Sequence, residues 1–417
     1  MKDIFVKYRQ PAVVFLIFLV YGLFSSPTPD KIGVAEVLLG ILLMISVWPG
    51  IKNFFALKAD VPLPVRISIL YLLIVPLIAG LKGHMPMRDI IRDFVPMCYM
   101  LLPVLYAPQI KRNPEVWRNM FKIGILIVAV IFAIRFYILG LIINTPKPGF
   151  ALCDNDLFLN LDPTVIFSYI YFVCMTMVAL YYEKITDFFV YGTIGLFLCS
   201  LPFVQMLRLQ MVLILFVLIL LFSHLTIIYK KWKMSLLLFL CIVNAFIYLP
   251  QVRGFFEHAI AVIVNKTLYA GFSNNRIDEI KVVLSHFASS PKSIFLGWGW
   301  GDKMVLPTTG NLPVRFVHVG FLYYLWKAGI LGFIAIITYW SYFIGRMARV
   351  LRFGQENKSV VEVILFMAFI FSFGLFVFIE PGYKILTFYM LLSYLMAYCF
   401  VLSHKGREKD VSGLIAI

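Results

Sequence analysis

The sequence predicts an all-α polytopic membrane protein, and three observations point to it. Of the 417 residues, 62% are hydrophobic and only 14% are charged, against roughly 25% charged in typical soluble domains. The apolar residues gather in long continuous runs, unlike the short alternating segments of a membrane β-barrel. The basic residues are divided unequally between the segments that separate the runs. In lipid every backbone polar group must be satisfied within the span, and a helix achieves this.

About twelve runs reach the ~20 residues that a helix needs to cross a hydrocarbon core. They lie near residues 11–26, 33–50, 64–81, 89–107, 118–143, 164–182, 187–205, 209–229, 233–250, 318–345, 359–379 and 383–403. No small-residue cleavage site follows the first run, so it reads as a retained helix. With twelve spans both termini share a side. If that side is the cytoplasm, 21 basic residues fall inside and seven fall in the short outer loops, as the positive-inside rule requires. The net charge of +16 is then a matter of topology, and nucleic acid is not expected as a partner. Of the six cysteines, only Cys153 lies outside the runs, and none has metal-ligand or CxxC spacing. They read as small packing residues.

With no repeat or linker evident, residues 1–417 read as a single membrane domain, with an external loop over 251–317 between the ninth and tenth spans. A second outer segment, 144–163, is acidic, with Asp154, Asp156 and Asp162. Loops as long as 251–317 are usually functional. Residues 254–268 read as an amphipathic helix at the membrane surface. A second loop helix is capped by Asn275, with Asp278 at its third position. Ile277, Ile280, Leu284 and Phe287 recur at helical spacing and predict its buried face. Arg276 and Glu279 are expected on the other side, within reach of each other. Gly297, Gly299 and Gly301 then permit tight turns, and Trp298 and Trp300 suit a membrane interface or the face of a sugar. His318 stands at the mouth of the tenth span, with Gly329 and Gly332 further along it.

Charges inside spans are costly and mark pairs or pathways. Arg135 and Lys327 lie within expected spans, with Glu36 and Glu380 as candidate partners. Asp89, Arg92 and Asp93 are expected to form a local ion network beneath His84. The sharper chemical candidates are Arg208, Arg276 and His318, all expected on one face of the membrane. Two guanidinium forks and one imidazole suit a lipid-linked phosphate: arginine binds phosphate bidentately and keeps its charge, and histidine exchanges a proton near neutral pH. This constellation requires neither a metal nor a cofactor.

The tract from Arg276 to Gly332 resembles the superfamily of O-antigen ligases and O-antigen polymerases. It carries Arg276 in NNRIDEIKVVL, Pro291 before LGWGWG, and His318 in VHVGFLYYLWKAGILG. The mid-chain arginine of that family is matched by Arg208 in MLRLQ. The resemblance implies a polytopic glycosyltransferase of the GT-C-like class in the bacterial inner membrane, with its active site facing the periplasm or cell exterior. The donor would be a glycan on undecaprenyl pyrophosphate. The acceptor would be a second lipid-linked glycan in a polymerase, or the lipid A core in a ligase. A chain-length regulator is an open further partner. On this resemblance Arg208 and Arg276 bind the pyrophosphate, His318 accepts the acceptor proton, and Glu279, Trp298 and Trp300 support the site. Val319 stands where ligases carry asparagine after the histidine, which tilts the expectation towards a polymerase. The rival expectation from another class is a lipid or polysaccharide transporter.

Overall fold

A computed structural model describes residues 2–25, 33–56, 60–142, 162–182, 184–204, 257, 261, 264, 276–305, 313–314, 317, 319–356, 360–378 and 384–415. The described chain is helical apart from one two-stranded hairpin. Among the described residues, six helical stretches are long and apolar enough to cross a membrane: Val34–Phe55, Leu63–Lys82, Met87–Arg112, Pro114–Ile138, Gly320–Val350 and Leu386–Ser403. Shorter apolar helical stretches occupy Tyr8–Phe24, Pro163–Ala179, Ile185–Leu201 and Ile364–Leu375. The protein is thus all-α with several helices of membrane length. The expected spans 209–229 and 233–250 lie outside the described residues, as do Asn275, Cys153 and Cys241. Of the expected surface helix 254–268, Glu257, Ala261 and Val264 are described, and all three are helical.

The chain divides into two compact units, one of residues 1–165 with 276–417 and one of residues 166–275. In the first unit, α1 (Lys2–Phe24) packs on α2 (Val34–Phe55) and α6 (Pro114–Ile142). The carboxylate of Glu36 accepts the Gly33 N–H at 2.8 Å and the Ser25 hydroxyl at 3.1 Å, closing the start of α2. At its other end, Arg66 of α3 (Leu63–Lys82) donates to the carbonyls of Phe54 and Ala56. That satisfies acceptors which a helix C-terminus leaves without intrahelical partners. Arg66 is buried, and this capping explains how a cation is tolerated there. Arg135 does the same within α6, donating to the carbonyls of Gly22 and Ser25 at 2.6 and 2.7 Å.

The expected fourth span is a broken rod rather than one helix. It runs as α4 (Met87–Cys98), a 3-10 turn (Tyr99–Leu101) and α5 (Leu102–Arg112). Pro96 and Pro103 flank the turn, and each removes an N–H from the helical ladder. The last helix, α13 (Leu386–Ile415), is the centre of this unit. It touches α5, α6, α11 (Gly320–Glu356) and α12 (Val360–Phe378), and its Leu386–Ser403 stretch is almost wholly buried.

In the second unit, α7 (Pro163–Tyr181) contributes its residues from Ile166 onward and is followed by α8 (Ile185–Val204). Cys174 and Cys199 are buried free thiols on these helices. Among the described residues Cys98 and Cys399 are also free, in keeping with packing roles.

Asp162, expected in an acidic outer segment, is fully buried just before α7. Its carboxylate accepts from the Tyr21 hydroxyl at 3.2 Å, the Thr387 hydroxyl at 2.7 Å, and both the backbone N–H and hydroxyl of Thr164. Burial raises its pKa from the ordinary 3.8 to about 6, with these hydrogen bonds opposing the shift. The folded protein therefore holds this proton more tightly than the unfolded chain. The resulting stability is complete below pH 3.8 and is lost as pH rises through about 6. Replacing Asp162 with asparagine removes this dependence. The expected result is that the stability difference between wild type and Asp162→Asn moves by up to about 3 kcal/mol between acidic and neutral pH. Thermal melts of both proteins in detergent across that range check it, and parallel curves would refute it.

Candidate functional site

Among the described residues of the first unit, buried charges gather where α3, α4 and α11 meet a glycine-rich segment. That segment follows α9 (Arg276–Phe287) and α10 (Pro291–Leu296). Helix α10, not anticipated from sequence, is started by Ser290. The Ser290 hydroxyl accepts the Ser293 N–H, the Ser293 hydroxyl accepts the Ser290 N–H, and Pro291 takes the first turn. This is a reciprocal cap with serine in place of the usual glutamate.

After α10 the chain turns through Gly297, Gly299 and Gly301, all with positive φ, as the expected tight turns require. The turns insert the segment between two helices. The N–H groups of Trp298 and Gly299 donate to the carbonyls of Trp326 and Lys327 in α11, and the Trp300 N–H donates to the carbonyl of Pro76 in α3. The acceptors in α11 are available because Gly329 breaks the helix, with φ 70° and ψ −168°. The next carbonyl, of Ala328, accepts the Tyr71 hydroxyl at 3.2 Å. Three successive carbonyls around the break are thus satisfied from outside the helix. Irregular backbone in a membrane protein is tolerated where neighbouring protein supplies such partners.

Asp93 of α4 faces this insertion. One carboxylate oxygen binds Lys327 Nζ at 3.0 Å and also accepts the Gly301 N–H at 3.0 Å; the other binds Lys384 Nζ at 2.9 Å. Lys327 also donates to the Asp302 carbonyl. Its ammonium lies 4.0 Å from the centre of the Trp326 ring, and that of Lys384 lies 4.7 Å from the Tyr323 ring. Lys327 is thus paired internally, with Asp93 among its partners. Of the two candidates expected for it, Glu36 caps α2 and Glu380 lies outside the described residues. The charges of the expected Asp89, Arg92 and Asp93 network extend beyond their own helix. Asp89 binds Lys303 at 2.6 Å, so both aspartates reach across to distant segments.

Beside this cluster, Asp302 accepts from Trp326 Nε1 at 2.7 Å and holds His286 Nε2 at 3.1 Å. Trp298 stacks on the His286 ring, with centroids 4.5 Å apart, and donates its Nε1 hydrogen to the His286 carbonyl. His286 is thus an imidazole oriented by a carboxylate and left partly exposed. Neither His286 nor Asp302 stands out in the sequence, because the two become neighbours only when the glycine turns fold the segment back on α9.

The sequence-selected residues fall as follows. Arg208 and His318 lie outside the described residues. Arg276 opens α9, as expected. Glu279 is only 3% exposed, so its expected place on an outer face is corrected: α9 turns Glu279 and Val283 inward and packs against α11. The expected buried face of α9 is corrected with it. Ile277 is 54% and Leu284 45% exposed, while Ile280 and Phe287 are half-buried. Trp298 is half-buried, and Trp300 is fully buried against Tyr323 at 5.9 Å. Neither the helix period nor the composition says which medium an apolar face will meet.

A separate open groove of about 850 Å³ is lined by residues including Tyr8, Phe15, Arg112, Glu115 and Asn119. Among the described residues, Glu279, Trp298 and Trp300 do not line it. Asp93 and Arg112 are some 28 Å apart along the α4–α5 rod at 1.5 Å per residue, so the groove lies at the rod's far end. Among the described residues no group of three His, Cys, Asp or Glu side chains is placed to hold a metal. No family model matches the chain, and no curated protein matches it.

Proposed function

We propose that this chain is a polytopic glycosyltransferase. It would carry about twelve spans with both termini inside, and polymerise O-antigen, capsule or exopolysaccharide repeats from an undecaprenyl-pyrophosphate-linked donor. The observation that carries this reading is the packing of α9 on α11. Arg276 begins the first of these helices and, in sequence, His318 stands two residues before the second, so the two helices that bracket the tract bearing the family resemblance pack together. The glycine segment joins them, and charged side chains are buried beneath it. In this reading Arg208 and Arg276 bind the pyrophosphate and stabilise its charge as the sugar–phosphate bond breaks. The acceptor hydroxyl attacks the anomeric carbon with inversion, and its proton passes to His318. Ligation to the lipid A core uses the same donor chemistry.

The test is transfer of glycan between lipid carriers by the purified protein in vesicles, followed by release of undecaprenyl pyrophosphate. His318→Ala is expected to lower the rate by about 100-fold or more, and Arg276→Lys to weaken donor use because lysine cannot supply the bidentate fork. A His318→Ala rate equal to wild type would overturn the base assignment.

A second reading, transport of a lipid or polysaccharide, is favoured by the break of α11 at Gly329 beside buried Lys327. Broken helices with internal charges are a recurring feature of transporter sites. The same vesicles separate the readings: translocation of intact lipid-linked glycan without a new glycosidic bond would decide for transport.

A further inference from the structure

Helix α9 exposes Ile277 and Leu284 beside Asp278, Lys281 and Ser285, while it turns the carboxylate of Glu279 inward. Its apolar stripe of Ile277, Ile280, Leu284 and Phe287 has the spacing of a core-facing surface, yet Ile277 and Leu284 are about half exposed. The side turned inward carries Glu279, Val283 and the His286–Asp302 pair. Helix α10 repeats the pattern. Ser293 is buried, with its hydroxyl donating to the carbonyls of Phe287 and Ser290, while Phe295 is 57% exposed. Leu296 beside it is also exposed. Large apolar side chains gathered on one exposed surface imply a covering partner.

The position of that surface identifies the partner. Gly329 of α11 lies directly against the Phe295–Leu296 backbone, and the following turns of α11 expose Leu331 and Ile334. Helix α3, bonded to the same segment through Pro76, exposes Ile67, Ile74 and Ile78. Both helices are of membrane length, so these outward isoleucines and leucines form a lipid-facing surface, and Phe295 and Leu296 continue it. The segment is anchored at Trp326 and Lys327, about 10 Å inside the start of α11 at 1.5 Å per residue. Lys292 at the start of α10 and Lys281 on α9 are exposed, the latter within 3.7 Å of Asp278. Long cationic side chains beside an apolar face can reach phosphate headgroups.

We propose that α9 and α10 are an interfacial helix pair, with Ile277, Leu284, Phe295 and Leu296 seated in the acyl region of one leaflet and Lys281 and Lys292 at its headgroups. The pair is then a lateral wall open to lipid rather than part of a water-exposed loop. This holds whether the protein transfers glycan or transports it.

The test places a genetically encoded ketone residue, coupled to a nitroxide, at position 284 or 295, with the exposed polar positions 278 and 289, off the apolar stripe, as controls. The native cysteines stay in place. The full-length protein is reconstituted in phosphatidylethanolamine–phosphatidylglycerol vesicles, and collision of each label with oxygen and with a water-soluble nickel chelate is measured. Oxygen is expected to relax the labels at 284 and 295 more than the chelate does, with the order reversed at 278 and 289. Chelate dominance at 284 and 295 would show a water-exposed surface and overturn the proposal. Exclusion of both reagents there would show a protein cover and overturn it equally. Labels sit at exposed positions, and unchanged circular dichroism confirms that the labelled chain is folded.

Discussion

Asp93→Asn is expected to destabilise the protein by about 3–5 kcal/mol, the range for breaking a buried ion pair from one side. The side chain of Asp93 is 1% exposed, that of Lys327 0% and that of Lys384 13%. Asparagine preserves the shape and an oxygen for the Gly301 N–H, but it removes the charge and turns an NH2 donor towards the Lys384 ammonium. It removes the Asp93 carboxylate from Lys327, which keeps the Asp302 carbonyl and the Trp326 ring among its partners. The check is thermal unfolding in detergent, followed by tryptophan fluorescence. Asp93→Leu combined with Lys327→Met is expected to recover much of the loss, because a buried pair replaced by apolar residues of similar volume is often close to neutral. A single variant within ~0.5 kcal/mol of wild type, the range of ordinary surface substitutions, would refute the ion-pair account.

The spans are legible in the amino-acid sequence, whereas the partnerships between them are largely illegible. Apolar runs mark spans because each helix satisfies its own backbone, a local property. The break in the fourth run is also local and can be read from Pro96 and Pro103. The need for a partner at Lys327 follows from an isolated charge inside an apolar run, but its identity does not. Asp93 lies 234 residues away, and nothing in either local sequence names the other. The stripe on α9 shows a different limit. Its period is plain in the sequence, but its direction is not, because an apolar stripe faces a core or lipid equally well. The glycines of LGWGWG are legible as turns. What they approach is not, since the Gly80 and Lys327 backbones come from other helices. Arg276 begins a helix as its context suggests, whereas His286 and Asp302 become a pair only through the fold.

Gly299→Ala is expected to destabilise the protein by about 2–5 kcal/mol, for two separable reasons. The backbone there has φ 88°, a conformation that disfavours any residue with a Cβ by about 1–2 kcal/mol. An added methyl would also overlap the backbone of Ala79 and Gly80 in α3, and overpacking of this kind costs about 1–3 kcal/mol. Relief would require the segment to withdraw from α3. That would weaken the Trp300 bond to Pro76 and the approach of Gly301 to Asp93, so the damage is expected to reach the ion cluster. Gly345→Ala is the matched control, since nothing lies within 4 Å of a Cβ there. As an interior position of α11 it should gain up to about 1 kcal/mol of helix propensity. Opposite signs for the two alanines in the same thermal assay identify close backbone docking as the cause. Equal and small effects would mean that the segment does not hold α3 and α11 together. Combining Gly299→Ala with Asp93→Asn sharpens the distinction: if the inserted segment and the ion cluster act as one structure, the double variant should lose less than the two single losses together.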